Sequence, residues 1–208
     1  MIITKNTIVS FNENLKYESP KEIINFILSI ASNPIVTTSF GKYSSSLLYA
    51  VTSQKKNVPV VWCDTGYNTE ATYKHASRLI QDLKLNVDIF SPQYSTAFIN
   101  YTLGSPTYDN PKHQEFSEVV KLEPFKRALE KYKPDIWFTN IRQKQTEHRS
   151  TLDILSFSET GILKVSPFFY FSDQELEAYC KKHNLPIEGN YFDPVKAMSH
   201  RECGIHFQ

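Results

Sequence analysis

The chain has 208 residues, 23 Lys and Arg against 22 Asp and Glu for a net charge of +1, 40% hydrophobic residues, and three cysteines, Cys63, Cys180 and Cys203. That length suits one domain with its own core plus a short appendage and needs no disulfide staples, and the near-neutral charge argues against a dedicated nucleic-acid binder. With no two cysteines closer than 23 positions, there is neither a CxxC redox pair nor a four-cysteine zinc or iron–sulfur cage, so cysteine chemistry here is done by one thiol at a time.

In chain order, Ser19-Pro20 offers a helix cap and first position, and Ile23, Ile24, Ile27, Leu28 and Ile30 follow at helical spacing, predicting a helix over 20–32. Pro34-Ile35-Val36-Thr37-Thr38 reads as a short strand that ends in a polar, Gly-containing turn at 39–44 and opens into the apolar helical pattern Leu47, Leu48, Val51. The unit repeats as a strand over 58–62, the turn Asp64-Thr65-Gly66-Tyr67 and a helix over 70–83. A third strand at 86–90 follows, then a long irregular stretch with a surface loop at 101–113, a helix over 122–132 and a strand over 135–139. A short strand at 162–165 and the capping box of Ser172 and Glu175, before a helix reaching about residue 183, complete the regular elements.

Alternation at this rhythm predicts an α/β fold: a doubly wound, mostly parallel, Rossmann-like sheet flanked by helices, with ligands beyond the carboxyl ends of the strands. A nucleotide-binding domain over 1–186 and a flexible C-terminal tail over 187–208 are the expected divisions. No run of 18 apolar residues occurs, and residues 1–14 lack a cationic region followed by an apolar one, so the expectation is a cytoplasmic protein without membrane contact.

Three segments can carry chemistry. The turn Thr38-Ser39-Phe40-Gly41-Lys42-Tyr43-Ser44-Ser45 places backbone N–H groups and hydroxyls at a helix start, where they can cradle a phosphate or sulfate. It is neither a Walker A loop nor a dinucleotide glycine motif, and taken alone it reads equally as an ordinary connection with a serine cap. Asp64 can accept hydrogen bonds from a ribose or an adenine amino group, or else cap the next helix. The run from Arg142 to Arg149 follows the fourth strand on the same side, within a segment, 119–149, that carries a local charge of +4; its two arginines can clamp anionic oxygens. Among the cysteines, Cys63 and Cys180 fall in apolar patterns and read as packing thiols. Cys203 lies in a polar stretch with His200, Arg201 and His206, cations that raise the thiolate fraction, and it ranks as a nucleophile above a metal ligand.

Together these residues resemble the phosphoadenylyl-sulfate (PAPS) reductase family, a branch of the adenine nucleotide α-hydrolase-like proteins. The resemblance rests on Thr37-Thr38-Ser39-Phe40-Gly41, Val60-Val61-Trp62-Cys63-Asp64-Thr65-Gly66-Tyr67, Lys121-Leu122-Glu123-Pro124, the run from Arg142 to Arg149, Lys164-Val165 with Pro167, and Arg201-Glu202-Cys203-Gly204-Ile205-His206. It implies that Thr38, Ser39, Phe40, Gly41, Ser44 and Ser45 bind the phosphosulfate region and that Asp64, Thr65 and Gly66 contact the adenosine. It further implies that Arg142, Arg149 and Lys164 neutralise phosphate and sulfonate oxygens, with Gln145, Arg201 and His206 also binding substrate. Cys203 would attack the sulfonate sulfur, leaving an S-sulfocysteine that reduced thioredoxin or glutaredoxin, as electron donor, resolves to sulfite. A homodimer is the assembly implied.

Relatives that reduce adenylyl sulfate (APS) generally hold a [4Fe–4S] cluster on a cysteine pair and a CxxC. This chain has Phe116-Ser117 where the pair is expected and no CxxC, so no bound cofactor is expected and PAPS is the favoured substrate. Three positions depart from the family pattern, with Asn140 standing for a glycine, Gln143 for a second arginine and Phe171 for a tryptophan, and the stretch between His183 and Cys203 is shorter than in many relatives. Two alternatives stand beside this reading, an ATP-dependent sulfur transferase acting on tRNA or DNA, whose usual loop glycine and aspartate are replaced by Phe40 and Tyr43, and a catalytically silent nucleotide-binding module.

Overall fold

The computed structural model describes residues 3–105, 107 and 109–196. Its centre is a six-stranded sheet of β1 (Pro34–Thr38), β2 (Val60–Cys63), β3 (Val87–Phe90), β4 (Ile136–Phe138), β5 (Leu155–Phe157) and β6 (Leu163–Val165), in the order β3-β2-β1-β4-β6-β5. Every pairing is parallel except β5 with β6. Burial on both faces explains why these strands are nearly continuous apolar runs. Along β2 and β4 the side chains alternate between two cores: Val60, Trp62, Ile136 and Phe138 enter one, Val61 and Trp137 the other.

The first core is covered by α2 (Pro20–Ile30), α3 (Ser44–Thr52), α4 (Glu70–Leu83) and, beyond the one-turn α8 (Glu147–Ser150), α9 (Asp173–Lys182), and the second by α5 (Thr96–Leu103), α6 (His113–Ser117) and α7 (Glu123–Tyr132). Two of these helices begin as the sequence requires. Ser19 and Glu22 form a capping box with Pro20 at the first position, and Ser172 and Glu175 form another at the head of α9. A π-helical turn, Glu118–Leu122, joins α6 to α7 and turns Lys121 toward the carboxyl end of the sheet.

The strand order reverses on the two sides of β1, because the chain continues to β2 on one side and returns as β4 on the other. At such a switch point the loops leaving β1 and β4 diverge and open a crevice between them. At the opposite end of the same pair, Asp135 accepts hydrogen bonds from the backbone N–H of Ser32 and Asn33, at 2.6 and 2.7 Å, and so sets where the two strands start.

Several elements depart from the sequence expectation. The stretch between β3 and α7, expected to be irregular, contains α5 and α6; the short α5 takes its start from Ser95, whose hydroxyl accepts from Phe98 N, and the loop proper begins at Gly104. Neither α1 (Ile8–Leu15) nor β5 was expected. They form one device: buried Asn12 of α1 donates to Leu155 O at 3.0 Å and accepts from Leu155 N at 2.8 Å, so its amide mimics a further strand on the open edge. No helix among the described residues is long and apolar enough to cross a membrane.

Replacing Asn12 by Leu leaves the N–H and C=O of Leu155 without this partner. Urea unfolding should register a loss of about 2–4 kcal/mol, since each buried backbone group so deprived costs about 1–3 kcal/mol; a change below 0.5 kcal/mol would show that the edge does not need this amide.

Candidate active site

The crevice at the switch point has a volume of about 310 Å³, which suits a small-molecule ligand. One wall is the loop after β1, with Thr38, Ser39, Gly41, Lys42, Tyr43 and Ser44; the other is the segment after β4, with Thr139, Asn140, Ile141, Arg142, Gln145 and Arg149. The first wall owes its shape to a tight turn. Thr38 Oγ1 accepts from Phe40 N at 2.9 Å, and Phe40 adopts a left-handed φ of 50°. That conformation is unfavourable for a residue with a side chain, and it is offset by complete burial of the ring, edge-on to Trp62 at 4.8 Å. The two walls are tied together, because Asn140 Nδ2 donates to Tyr43 O at 2.8 Å. The amide oxygen of Asn140 is buried with no hydrogen-bond partner among the described residues.

Four cations line this space: Lys42, Lys121, Arg142 and Arg149. Arg142 Nη1 lies 2.7 Å from Asp173 Oδ1 and donates to Phe171 O at 3.2 Å, and its guanidinium faces the Tyr43 ring at 5.3 Å. Gln145 Oε1 accepts from Arg142 N at 2.9 Å and also from Arg149 Nη1. Lys121 Nζ is 2.6 Å from Asp193 Oδ2, and both side chains are buried. Burial by itself pushes the Asp173 carboxyl up, but Arg142, Lys42 and the Tyr43 hydroxyl together outweigh it and hold the group below its ordinary value. A polyanion entering the crevice therefore meets cations already oriented by acceptors, so little reorganisation accompanies binding.

The segment after α9, read from the sequence as the start of a tail, runs as a strap across the crevice mouth. Pro186 O accepts from Ser45 Oγ at 2.7 Å, Glu188 N donates to Lys42 O at 3.1 Å, and Asn190 O accepts from Thr69 Oγ1 at 3.3 Å. The Tyr191 ring lies against Gly41 so closely that a Cβ there would stand 3.3 Å from it, which explains the glycine. Asp193 then meets Lys121, and Val195 is buried in the second core.

Of the residues singled out in the sequence, the structure brings Thr38, Ser39, Gly41, Ser44, Arg142, Gln145 and Arg149 to one cavity. Phe40 and Ser45 are buried behind the loop. The turn Asp64-Thr65-Gly66 stands beside Cys63 and outside the cavity lining. Its carboxylate is engaged locally: Asp64 Oδ1 accepts from Gly66 N at 3.0 Å, Asn68 Nδ2 at 2.8 Å and the Tyr73 hydroxyl at 2.9 Å. The Tyr73 phenol is pushed up to about 12, first by burial and then by that carboxylate. Lys164 is buried on β6, 5.8 Å from the Trp137 ring and likewise outside the lining; burial pushes its ammonium below the usual lysine range. Arg201, Cys203 and His206 lie outside the described residues.

Sequence reasoning did not single out Lys121, Asp173, Asp193 and Tyr191 as pocket residues, and it read Cys63, which lines the crevice, as a packing thiol. A usable signal existed for Asp173, which stands at the head of a capped helix. Asp193 and Tyr191 sit in a stretch without periodicity and carried none. No group of three or more His, Cys, Asp or Glu among the described residues is placed to hold a metal ion.

A family profile described as "Phosphoadenosine phosphosulfate reductase domain" matches residues 33–194. Among curated proteins, the chain is 30% identical over 177 residues to the phosphoadenosine 5′-phosphosulfate reductase of Vibrio cholerae, covering 84% of this chain and 70% of that one. It is 28% identical over 183 residues to the enzyme of the same name from Photorhabdus laumondii, covering 87% and 75%. The crystal structure of phosphoadenylyl-sulfate reductase from Candida auris superimposes with a TM-score of 0.78 at 21% identity, covering 90% of this chain and 91% of the other.

Replacing Lys121 by Met removes the cation that the buried Asp193 carboxylate faces, and urea denaturation should show a loss of about 3 kcal/mol. The double change Lys121→Met with Asp193→Leu should recover part of that loss. Additive losses would show that the two side chains do not act as a pair.

Proposed function

The chain belongs to the phosphoadenosine phosphosulfate reductase family, of adenine nucleotide α-hydrolase-like fold, and we propose on that premise that it reduces PAPS to sulfite and adenosine 3′,5′-bisphosphate in sulfate assimilation. The observation that carries this reading is the convergence of the β1 loop, the arginine segment after β4 and Lys121 on one crevice at the switch point. PAPS is a nucleotide bearing several negative charges, and this crevice offers backbone N–H groups, hydroxyls and cations together.

In this reading the loop at 38–45 and the cations Arg142, Arg149 and Lys121 fix the phosphosulfate group. Arg201 and His206 approach the anion with the end of the chain, while Asp64, Thr65 and Gly66 border the adenosine side. Lys164, buried next to β4, adds positive potential from beneath the site.

Cys203 acts as its thiolate. Its sulfur bonds to the sulfonate sulfur while the bond from that sulfur to the phosphate oxygen breaks, and the electron pair leaves with adenosine 3′,5′-bisphosphate. A thiolate of reduced thioredoxin or glutaredoxin then attacks Cys203 Sγ, expelling sulfite and forming a mixed disulfide. The second thiol of the donor resolves that disulfide and restores the Cys203 thiol, so the donor dithiol supplies both electrons. The dithiol in this scheme comes from a partner, in keeping with the lack of a second cysteine in residues 187–208, the segment carrying the nucleophile.

The strap supports this scheme. It anchors the chain at Asp193 and Val195, and the seven residue-to-residue steps from Lys196 to Cys203 span at most about 25 Å when extended. That reach covers the crevice and still allows the thiol to meet a partner protein. The chemistry suits the reducing cytoplasm, where dithiol donors are kept reduced.

Sulfite formation from PAPS, and not from APS, should depend on added reduced thioredoxin or glutaredoxin. Cys203→Ser should abolish it while nucleotide binding survives. Sulfite release at the wild-type rate from that variant, or without a dithiol, would overturn the reading.

A further inference from the structure

Helix α4 buries a histidine where its period calls for an apolar residue. Thr72, His75, Ala76 and Leu79 form its buried stripe, and His75 is 8% exposed. An imidazole so placed is costly unless a polar group meets it. His75 Nε2 lies 3.4 Å from Ser44 Oγ, and Ser44 opens α3 and lines the crevice. The ring therefore stands directly behind one hydroxyl of the crevice wall, and none of the roles assigned above uses it.

A serine hydroxyl has one proton to give. If Nε2 is bare, that proton turns back toward the ring, and the Ser44 oxygen faces the crevice with lone pairs that repel an anion. If Nε2 carries hydrogen, the ring donates to Ser44 Oγ and the hydroxyl proton is left for the ligand. The state of this one nitrogen thus decides whether Ser44 is a donor or an acceptor toward the crevice. The charged groups acting on the ring are Glu188 of the strap, itself buried, and Arg78 further along α4; α3, which packs against α4, has no charged side chain. Burial is the largest influence and holds the imidazole below its ordinary value, while Glu188 pulls it up and Arg78 pulls it down.

We propose that His75 is a positioning residue for anion binding: its Nε2–H donates to Ser44 Oγ and turns the Ser44 hydroxyl proton into the crevice, toward the phosphate or sulfonate oxygens of the ligand. An anion seated there adds negative charge close to the ring, so binding also draws a proton from solvent onto His75. The assignment rests on the reading of the crevice as the site of a nucleotide anion.

Calorimetric titration with adenosine 3′,5′-bisphosphate tests it as a double-mutant cycle. His75→Phe should weaken binding about tenfold in the otherwise wild-type chain, the scale of one hydrogen bond to a charged group, and less than about twofold where Ser44→Ala has already removed the hydroxyl. His75→Gln, whose amide N–H can replace Nε2–H, should stay within about threefold of wild type. In NMR of the wild-type chain, the His75 ring should titrate at a higher pH once the bisphosphate is bound; this readout decides even where His75→Phe does not fold. No loss from His75→Phe, equal losses in both backgrounds, a loss from His75→Gln as large as that from His75→Phe, or a ring titration that the ligand leaves unmoved would overturn the role of His75 and leave the reductase reading standing. Failure of the wild-type chain to bind the bisphosphate would instead overturn the reductase reading, and this assignment with it.

Discussion

Three cations, Lys121, Arg142 and Arg149, are more than nine-tenths buried at one end of a small sheet, and a buried positive charge must be met by acceptors or it destabilises the fold. The architecture around the crevice supplies those acceptors from separate parts of the chain. Asp173 comes from the head of α9, Phe171 O from the turn before it, Gln145 from the segment that carries both arginines, and Asp193 from the strap. Each acceptor also orients the cation it holds. The network that makes the charges tolerable is therefore the one that aims them at a ligand.

The sheet decides where this network sits. Because strand order reverses at β1, the loops after β1 and β4 diverge, and the hydrogen bond from Asn140 to Tyr43 O fixes the width between them. The strap then links two layers that the sheet keeps apart: Pro186 and Glu188 bind the loop of the first layer, and Asp193 and Val195 bind the π turn and core of the second. Asp193, which holds Lys121, thus lies ten positions before Cys203 in the chain. In the proposed reading, substrate charge and delivery of the thiol meet on that one structural element.

The α/β plan was legible because its signals are local and repeated. Apolar runs bounded by polar turns marked β1 and β2, and the Ser-Pro and Ser-x-x-Glu caps marked α2 and α9. The lining of the crevice was legible where a motif follows a strand directly, as with Ser39, Gly41 and Ser44 and with Arg142 and Arg149. What escaped depends on distant partners. Asn12 looks like an ordinary polar residue until Leu155, 143 positions away, is beside it. Asp193 has no pattern around it and gains its meaning from Lys121, 72 positions earlier. The Asp64 turn was read as a ligand contact or a cap, and what the sequence did not show is how many local donors its carboxylate takes, Gly66 N, Asn68 and Tyr73, the first because an Asp side chain readily accepts from the backbone N–H two residues on.

The central claim is that a polyanionic nucleotide is held in the switch-point crevice while a single thiol of this chain takes its sulfonate group. The most direct measurement is intact-protein and peptide mass spectrometry after mixing the protein with PAPS in the absence of any dithiol. The account predicts one added sulfonate, about 80 Da, on the peptide containing Cys203, discharged on addition of reduced thioredoxin. A protein of unchanged mass, or the adduct on Cys63 at the crevice wall in place of Cys203, would contradict it.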